Sequence, residues 1–498
     1  MFKISKVVLI LIKHQRIHII HTNDLHSHFN NMAKISSYIK KLRAEVTSKE
    51  EKVIVVDLGD HMDRMQLETE GTGGKVNVEI LNYLNTDVIT IGNNEGLTFT
   101  KELLAEAYLD KKFRIVACNL KDLESKRLPD WLEEYWIQDL GKIRIGWVGA
   151  TAPYKTFYKL QGWAIEDPFS NLQRIIQQIR LEVDLIIILS HLGLRADERL
   201  AEQLKDVDVI LGGHTHFLLE KGIKKENQPL VCQAGIFGDY VGHLVIDYDI
   251  ENRHLIGVEE KTVFIGDIAS DMNTLRIIEK NRDLAKKELG KCITVLKEPL
   301  INSLETESPL SNLLADGVRR WVDAEIGLVN TGQILDDLDE GIVTKERIHQ
   351  ICPSPINACR IRLTGEQIRL TLEQSLLDEF KHYPMKGYGF RGKELGTLSI
   401  SGIIVEYDIT SPPYKKISKI YTSNGAILDD KREYIVGTLD MFTFGGGYYL
   451  IKKGKDVQYF LPEFLRDILA VQLMDEQSLK ISLKDRWIKI KEKNRVSE

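Results

Sequence analysis

Five runs of aliphatic and β-branched residues in the first half of the chain each stop on a side chain able to bind a metal ion. Ile17-His18-Ile19-Ile20 runs into His21-Thr22-Asn23-Asp24-Leu25-His26-Ser27-His28, and Val53-Ile54-Val55-Val56 into Asp57-Leu58-Gly59-Asp60. Val88-Ile89-Thr90-Ile91 runs into Gly92-Asn93-Asn94-Glu95, Leu185-Ile186-Ile187-Ile188-Leu189 into Ser190-His191, and Asp208-Val209-Ile210-Leu211 into Gly212-Gly213-His214-Thr215-His216. Short continuous apolar runs, rather than alternating ones, mark strands buried on both faces. Helical patterns separate them, such as the apolar positions Met32, Ala33, Ile35, Tyr38, Ile39 and Leu42. The alternation predicts an α/β domain with its functional groups gathered at the carboxyl ends of the strands.

Asp24 and His26, two apart on a turn, are by themselves a weak metal signal. Joined by Asp60, Asn93, His191, His214 and His216, they become a specific one. Seven ligands are too many for one zinc and suit two ions sharing a bridging carboxylate. The shortest assignment puts Asp24, His26 and His216 on one ion, Asn93, His191 and His214 on the other, and Asp60 between them. Two ions roughly 3.5–4 Å apart generate hydroxide near neutral pH and clamp the oxygens of an in-line displacement, which suits phosphate esters. The donor set points to zinc or manganese, with cobalt or iron also admitted.

The chain has 498 residues, too many for one hydrophobic core. Residues 271–289 are charged with little apolar face and read as a linker helix. A second α/β pattern follows: a helix over 310–322, a strand Ile326-Gly327-Leu328-Val329 ending in Asn330-Thr331-Gly332, and a capping box Thr364-Gly365-Glu366-Gln367 opening a helix to Leu377. A later strand near Tyr434 leads into Asp440-Met441-Phe442-Thr443-Phe444-Gly445-Gly446-Gly447-Tyr448. A net charge of −6 gives no drive toward nucleic acid or membrane. Five scattered cysteines, an odd number, argue for a reducing compartment. The apolar run Val7-Val8-Leu9-Ile10-Leu11-Ile12 is short, ends in bases and lacks a cleavage site. The expectation is a cytoplasmic protein with a dispensable leader.

Asp24-x-His26, Gly59-Asp60, Gly92-Asn93, His191 and Gly213-His214-x-His216 match, in order, the five motifs of the calcineurin-like metallophosphoesterases. With His21-Thr22-Asn23-Asp24 and the second domain, residues 16–490 resemble the 5′-nucleotidase / 2′,3′-cyclic phosphodiesterase family, in a cytoplasmic branch with Gly-Asn-Asn-Glu in place of Gly-Asn-His-Glu. The resemblance implies a four-layer αββα metallophosphoesterase domain at 16–265, a linker helix at 266–292 and an α/β substrate-binding domain of the 5′-nucleotidase C-terminal type at 293–490. It implies a hydrolase of a small phosphate ester, a nucleotide, in nucleotide catabolism. The competing readings are a broad or 2′,3′-cyclic phosphodiesterase, a phosphatase of another small organic phosphate, and a metal-bound nucleotide-binding pseudoenzyme.

The pattern breaks in places. The family's third motif carries a His with an Asp three residues on; here those positions are Asn94 and Leu97. Asn94 can donate a hydrogen bond to a phosphoryl oxygen but cannot act as a general acid. His28 and His61, beside metal-ligand positions, are the surrogate candidates or are supports for their neighbours. Arg64 is a candidate phosphate contact or an ordinary ion pair. In the second domain Asn330 and Gly332 are kept while the motif's Arg has become Leu335. A Pro-Phe pair has become Pro353-Ser354. Phe442 or Phe444 could offer a ring to a base or pack in the core, and the loop at Gly446 lacks its acid.

Overall fold

The computed structural model describes residues 14–490 apart from positions 48 and 50. The leader expected at the start of the chain lies outside them. The chain separates into two compact units, dividing between Ala285 and Lys286.

In the first unit two sheets face each other. Their strands are β1 (His14–Thr22), β2 (Lys52–Asp57), β3 (Val88–Ile89), β4 (Arg114–Ile115), β5 (Tyr135–Asp139), β6 (Arg144–Thr151), β7 (Leu185–His191), β8 (Val209–Gly212), β9 (Leu230–Cys232), β10 (Tyr240–Asp249) and β11 (His254–Phe264). One sheet has the order β11-β10-β1-β2-β3-β4 and the other β9-β8-β7-β6-β5. Ile17, Ile19, Ile54 and Val56 of the first meet Trp147, Leu185, Ile187, Leu189 and Leu211 of the second in a core closed to water. On the outer faces, Ile20 and Val55 pack under the helix Phe29–Thr47, and Val148, Ile186 and Ile188 under the helices Pro168–Ile179 and Leu194–Gln203. These are the four layers that the resemblance implies, and each central strand is buried on both faces, as its apolar run predicts. Local chemistry agrees, as where Asp167 caps its helix through Ser170 N at 2.9 Å and Pro168 takes the first helical position.

Register places the chemistry. Thr22 pairs beside Asp57 and Asp57 beside Ile89. In the other sheet Gly212 pairs beside Ser190, and Thr151 beside His191. The parallel strands end level, so their loops leave from one edge.

The stretch 266–292 contains the helix Met272–Leu289. Leu275 and Ile278 dock it on the outer core of the first unit. Arg282 reaches the buried Glu68 at 2.7 Å, and Lys280 reaches Glu79 at 2.9 Å. Its apolar stripe is narrow, which is why the sequence reads as solvated. No helix among the described residues is long and apolar enough to cross a membrane.

The second unit centres on a mixed sheet in the order Leu398–Ser401, Ile326–Asn330, Glu433–Leu439, Asn357–Thr364 and Lys455–Phe464. The helix Pro309–Trp321 packs Leu310, Leu313, Leu314 and Val318 into the core with Leu328, Val436 and Ile468. The capping box forms: Gln367 N donates to Thr364 Oγ1 at 3.2 Å, and Thr364 N to Gln367 Oε1 at 2.8 Å.

Asp440, just past the strand Glu433–Leu439, accepts a hydrogen bond from Asn357 N at 3.1 Å, and burial pushes its pKa up to about 7. A folded pKa raised above the unfolded value contributes stability that is complete below the unfolded pKa and is lost as pH rises through about 7. Asp440→Asn, which keeps the acceptor, should raise resistance to urea at pH 8 by on the order of 1–3 kcal/mol over wild type. The gain should vanish toward pH 4. A difference independent of pH would contradict this account.

Candidate metal centre

Where the loops leave β1, β2 and β8, the chemistry-bearing residues are held in left-handed backbone. The φ angle is 49° at Asp24, 44° at His26, 51° at Asp60, 74° at His214 and 61° at His216. Such conformations are uncommon for residues other than glycine and gather at functional sites. Neighbouring bonds impose them. Asp24 N donates to Gly59 O at 3.1 Å and His26 N to Asp60 O at 2.9 Å, lacing two loops together. The buried Glu95 carboxylate accepts from the N–H groups of Asp60 at 3.0 Å, Met62 at 2.8 Å and Gly92 at 2.8 Å. Gly92 must be bare, because a Cβ there would lie 2.0 Å from Asp60 Oδ1 and 2.3 Å from Asp60 N.

The side chains converge in two groups. Asp24, His26 and His216 offer ligand atoms within 4.8 Å of one another, and so do Asp60, His191 and His214. Asp60 stands between them: its Oδ2 is 4.0 Å from His26 Nε2 and its Oδ1 is 3.4 Å from His191 Nε2. Asp24 Oδ1 is 3.4 Å from His216 Nε2 and 4.0 Å from His191 Nε2. Most of these side chains are also braced from behind. His191 Nδ1 donates to Leu58 O at 2.7 Å, which turns Nε2 inward. His214 Nε2 meets Tyr154 OH at 3.0 Å. His26 Nδ1 faces Asp63 Oδ2 at 3.4 Å and the Asn94 amide at 2.9 Å. Asp24 Oδ2 accepts from Asn23 Nδ2 and from His214 N, each at 2.8 Å, leaving Oδ1 uncommitted.

Asp24 Oδ1, Asn93 Oδ1 and His191 Nε2 are buried without a hydrogen-bond partner among the described residues. Buried polar atoms ordinarily have one, and these three lone-pair donors fit a divalent cation. The electrostatics agree. Burial lowers the His191 pKa, but Asp60 and then Asp24 outweigh it and push the value up to about 10. Burial likewise raises Asp60, yet His191 and His26 hold its carboxyl well below the usual range. The carboxylates demand positive charge at this point, and divalent ions would supply it.

Residues 17–218 match the family model of the calcineurin-like phosphoesterases, and residues 293–452 match that of the 5′-nucleotidase C-terminal domain. The uncharacterized metallophosphoesterase YunD of Bacillus subtilis (strain 168) is 38% identical over 464 residues, covering 92% of this chain and 99% of its own. This chain belongs to the calcineurin-like metallophosphoesterases. The snake venom 5′-nucleotidase of Naja atra is 25% identical over 499 residues, covering 87% of this chain and 91% of that protein. A solved putative 5′-nucleotidase from Staphylococcus aureus shares the fold at a TM-score of 0.65 and 17% identity, covering 96% of this chain and all of that one. As a metallophosphoesterase the chain is a phosphoester hydrolase, and its family uses divalent metals.

The other candidates fall in varied settings. Asn94 braces His26, and its amide also donates to Met62 O at 3.3 Å. His61 is buried, neither ring nitrogen has a partner among the described residues, and burial drives its pKa down to about 3. His28 stacks on Phe237 with ring centroids 3.9 Å apart, and its Nδ1 lies 3.1 Å from the carbonyls of both Leu25 and His26. Arg64 is gripped by Glu70 at 2.7 and 2.9 Å and by Thr98 O at 2.7 Å.

In the second unit Asn330 is buried, donating to Leu395 O at 2.8 Å and accepting from Gln333 Nε2 at 2.9 Å. Gly332 lies against Glu394 O, Gly446 lies under Met385 and Tyr388, and Phe442 is buried edge-on to Tyr448. Phe444 is partly exposed, nearly parallel to Tyr388 at 6.4 Å and to Tyr459 at 6.2 Å.

Sequence reasoning missed Tyr154 and Tyr388, and took Asp63 only as the neighbour of Arg64. It quoted Glu95 without a role, although a Glu three residues after a turn glycine is the signal of a carboxylate that caps the turn. In the metallophosphoesterase centre, Gly92→Ala should displace Asp60 and cut turnover of p-nitrophenyl phosphate by roughly 10²-fold. Turnover within twofold of wild type would refute the close packing of these two loops as a requirement.

Proposed function

We propose that this hydrolase works with two divalent ions and acts on nucleotides as a 5′-nucleotidase. The observation that carries the two-ion part is Asp60, whose two oxygens face imidazoles of separate groups. On this reading Asp24, His26 and His216 hold one ion, Asn93, His191 and His214 hold the other, and Asp60 bridges them. Two such ions supply hydroxide near neutral pH and neutralise the phosphoryl charge. The rest of the chemistry is positional. Leu58 O fixes the tautomer of His191, Asp63 and Asn94 hold His26, and Glu95 holds the turns under Asp60 and Asn93. In the second unit the nearly parallel rings of Phe444 and Tyr388 support recognition of a base.

Delivering a proton to the leaving oxygen is where this chain departs from its family. Asn94 has no acid proton to transfer. His61 is a buried neutral imidazole. Burial also lowers the His28 pKa, and its Nδ1 hydrogen is spent on two carbonyls. General acid catalysis is worth roughly 10²–10⁴ in rate, so substrates that leave as poor anions lose most. The same observation favours a second reading, hydrolysis of phosphoanhydrides or other substrates whose departing group is a stable anion.

With manganese-loaded protein, kcat/KM for p-nitrophenyl phosphate should exceed that for nucleoside 5′-monophosphates by roughly 10²-fold or more. The double change Asn94→His with Leu97→Asp should narrow that gap by speeding the nucleotides alone. Equal turnover of both ester classes by wild type would overturn the missing-acid account. No nucleotide hydrolysis, even after the double change, would overturn the nucleotide assignment.

A further inference from the structure

His21 opens the stretch that carries Asp24 and His26, yet the metal centre makes no use of it. It lies on β1, near Cys232 on β9 and Glu260 on β11, so the three come from both sheets. One ligand atom from each lies within 4.8 Å of the other two. The side chains of His21 and Glu260 have no exposed surface, and Cys232 is fully buried as well. His21 Nε2 stands 2.9 Å from Glu260 Oε1. The other two heteroatoms, His21 Nδ1 and Glu260 Oε2, have no hydrogen-bond partner among the described residues. Space for the imidazole comes from Gly242, its cross-strand neighbour on β10: a Cβ there would lie 1.8 Å from His21 Nε2.

A carboxylate buried against a single imidazole is a costly arrangement, since desolvation of the charge is only partly repaid. A sulfur, an imidazole nitrogen and a carboxylate oxygen are all zinc donors, which bind the ion at about 2.0–2.3 Å. Around them is the apolar inter-sheet core, where Cys232 packs with Leu230, Leu244 and Ile246. We propose that His21, Cys232 and Glu260 bind one divalent ion, zinc by preference, at a structural site separate from the hydrolytic centre. The ion staples β1, β9 and β11 behind the loop that bears Asp24. That loop is already tied to the residues after Cys232, through Ala234 N to Asn23 Oδ1 at 3.0 Å and Asn23 Nδ2 to Gly235 O at 2.7 Å. The inference does not rest on the proposed substrate or on the hydrolytic ions.

The sulfur makes the test specific. None of the seven residues assigned to the hydrolytic centre carries a thiol, and burial pushes the Cys232 thiol well above its usual range. A coordinating metal ionises such a thiol outright, so a thiolate-to-cobalt charge-transfer band in the near ultraviolet reports an ion on sulfur. Full-length protein loaded with cobalt should show this band. The band should persist in Cys292→Ser, which removes the exposed cysteine, and in Asp60→Ala. Cys232→Ser should abolish it and lower the zinc content by one equivalent per chain, leaving hydrolysis within a few-fold of wild type. Absence of the band from the wild-type protein would overturn the site without any variant. A band that survives Cys232→Ser would overturn it equally.

Discussion

Asp24 and Asp60 hold two carboxylates in a region shut off from water, with His191 within 4.0 Å of both. Each buried charge costs several kcal/mol unless it is compensated, and the first unit is arranged around that compensation. Parallel strands end level, so loops from both sheets deliver imidazoles to the same place. Left-handed backbone at Asp24, His26, Asp60, His214 and His216 turns the side chains inward, against a cost of roughly 1–2 kcal/mol at each residue. Hydrogen bonds between the loops and the triple acceptor Glu95 offset part of that strain. Cations would meet the remainder: Asp24 Oδ1, Asn93 Oδ1 and His191 Nε2 have no hydrogen-bond partner among the described residues.

How far the sequence could be read followed from the range of the interactions concerned. Strands such as β2 and β7 were legible because two-sided burial forces an unbroken apolar run. The metal-competent residues were legible because each follows its strand directly. The α/β class and a phosphoester chemistry followed from those two patterns together, and the four-layer arrangement from the family resemblance they carry. What escaped depends on partners far along the chain. Asn94 looked free to face substrate, but its amide is 2.9 Å from His26, sixty-eight positions earlier. Tyr154 reaches His214 from a helix start that carries no motif. The helix Met272–Leu289 has a charged sequence, yet salt bridges to Glu68 and Glu79 and a narrow apolar stripe seat it on the first unit.

The two units differ in what their sequences preserve. In the first, the residues of the five metallophosphoesterase motifs are kept, except that the third motif has Asn94 and Leu97 where the resemblance implies a His and an Asp. In the second, residues that the resemblance assigns to substrate are spent on the unit itself: Asn330 donates to Leu395 O, and Phe442 belongs to the core. Reaction class is thus written more plainly than substrate, as expected when a fold hosts many specificities.

The central claim, that Asp60 joins two ions, is open to direct observation. Crystals of the full-length protein soaked in manganese, with diffraction recorded at a wavelength where manganese scatters anomalously, locate the ions without reference to activity. The account predicts two peaks flanking Asp60, one against Oδ2 on the side of His26 and one against Oδ1 on the side of His191. A single peak, or peaks that do not touch Asp60, would contradict it.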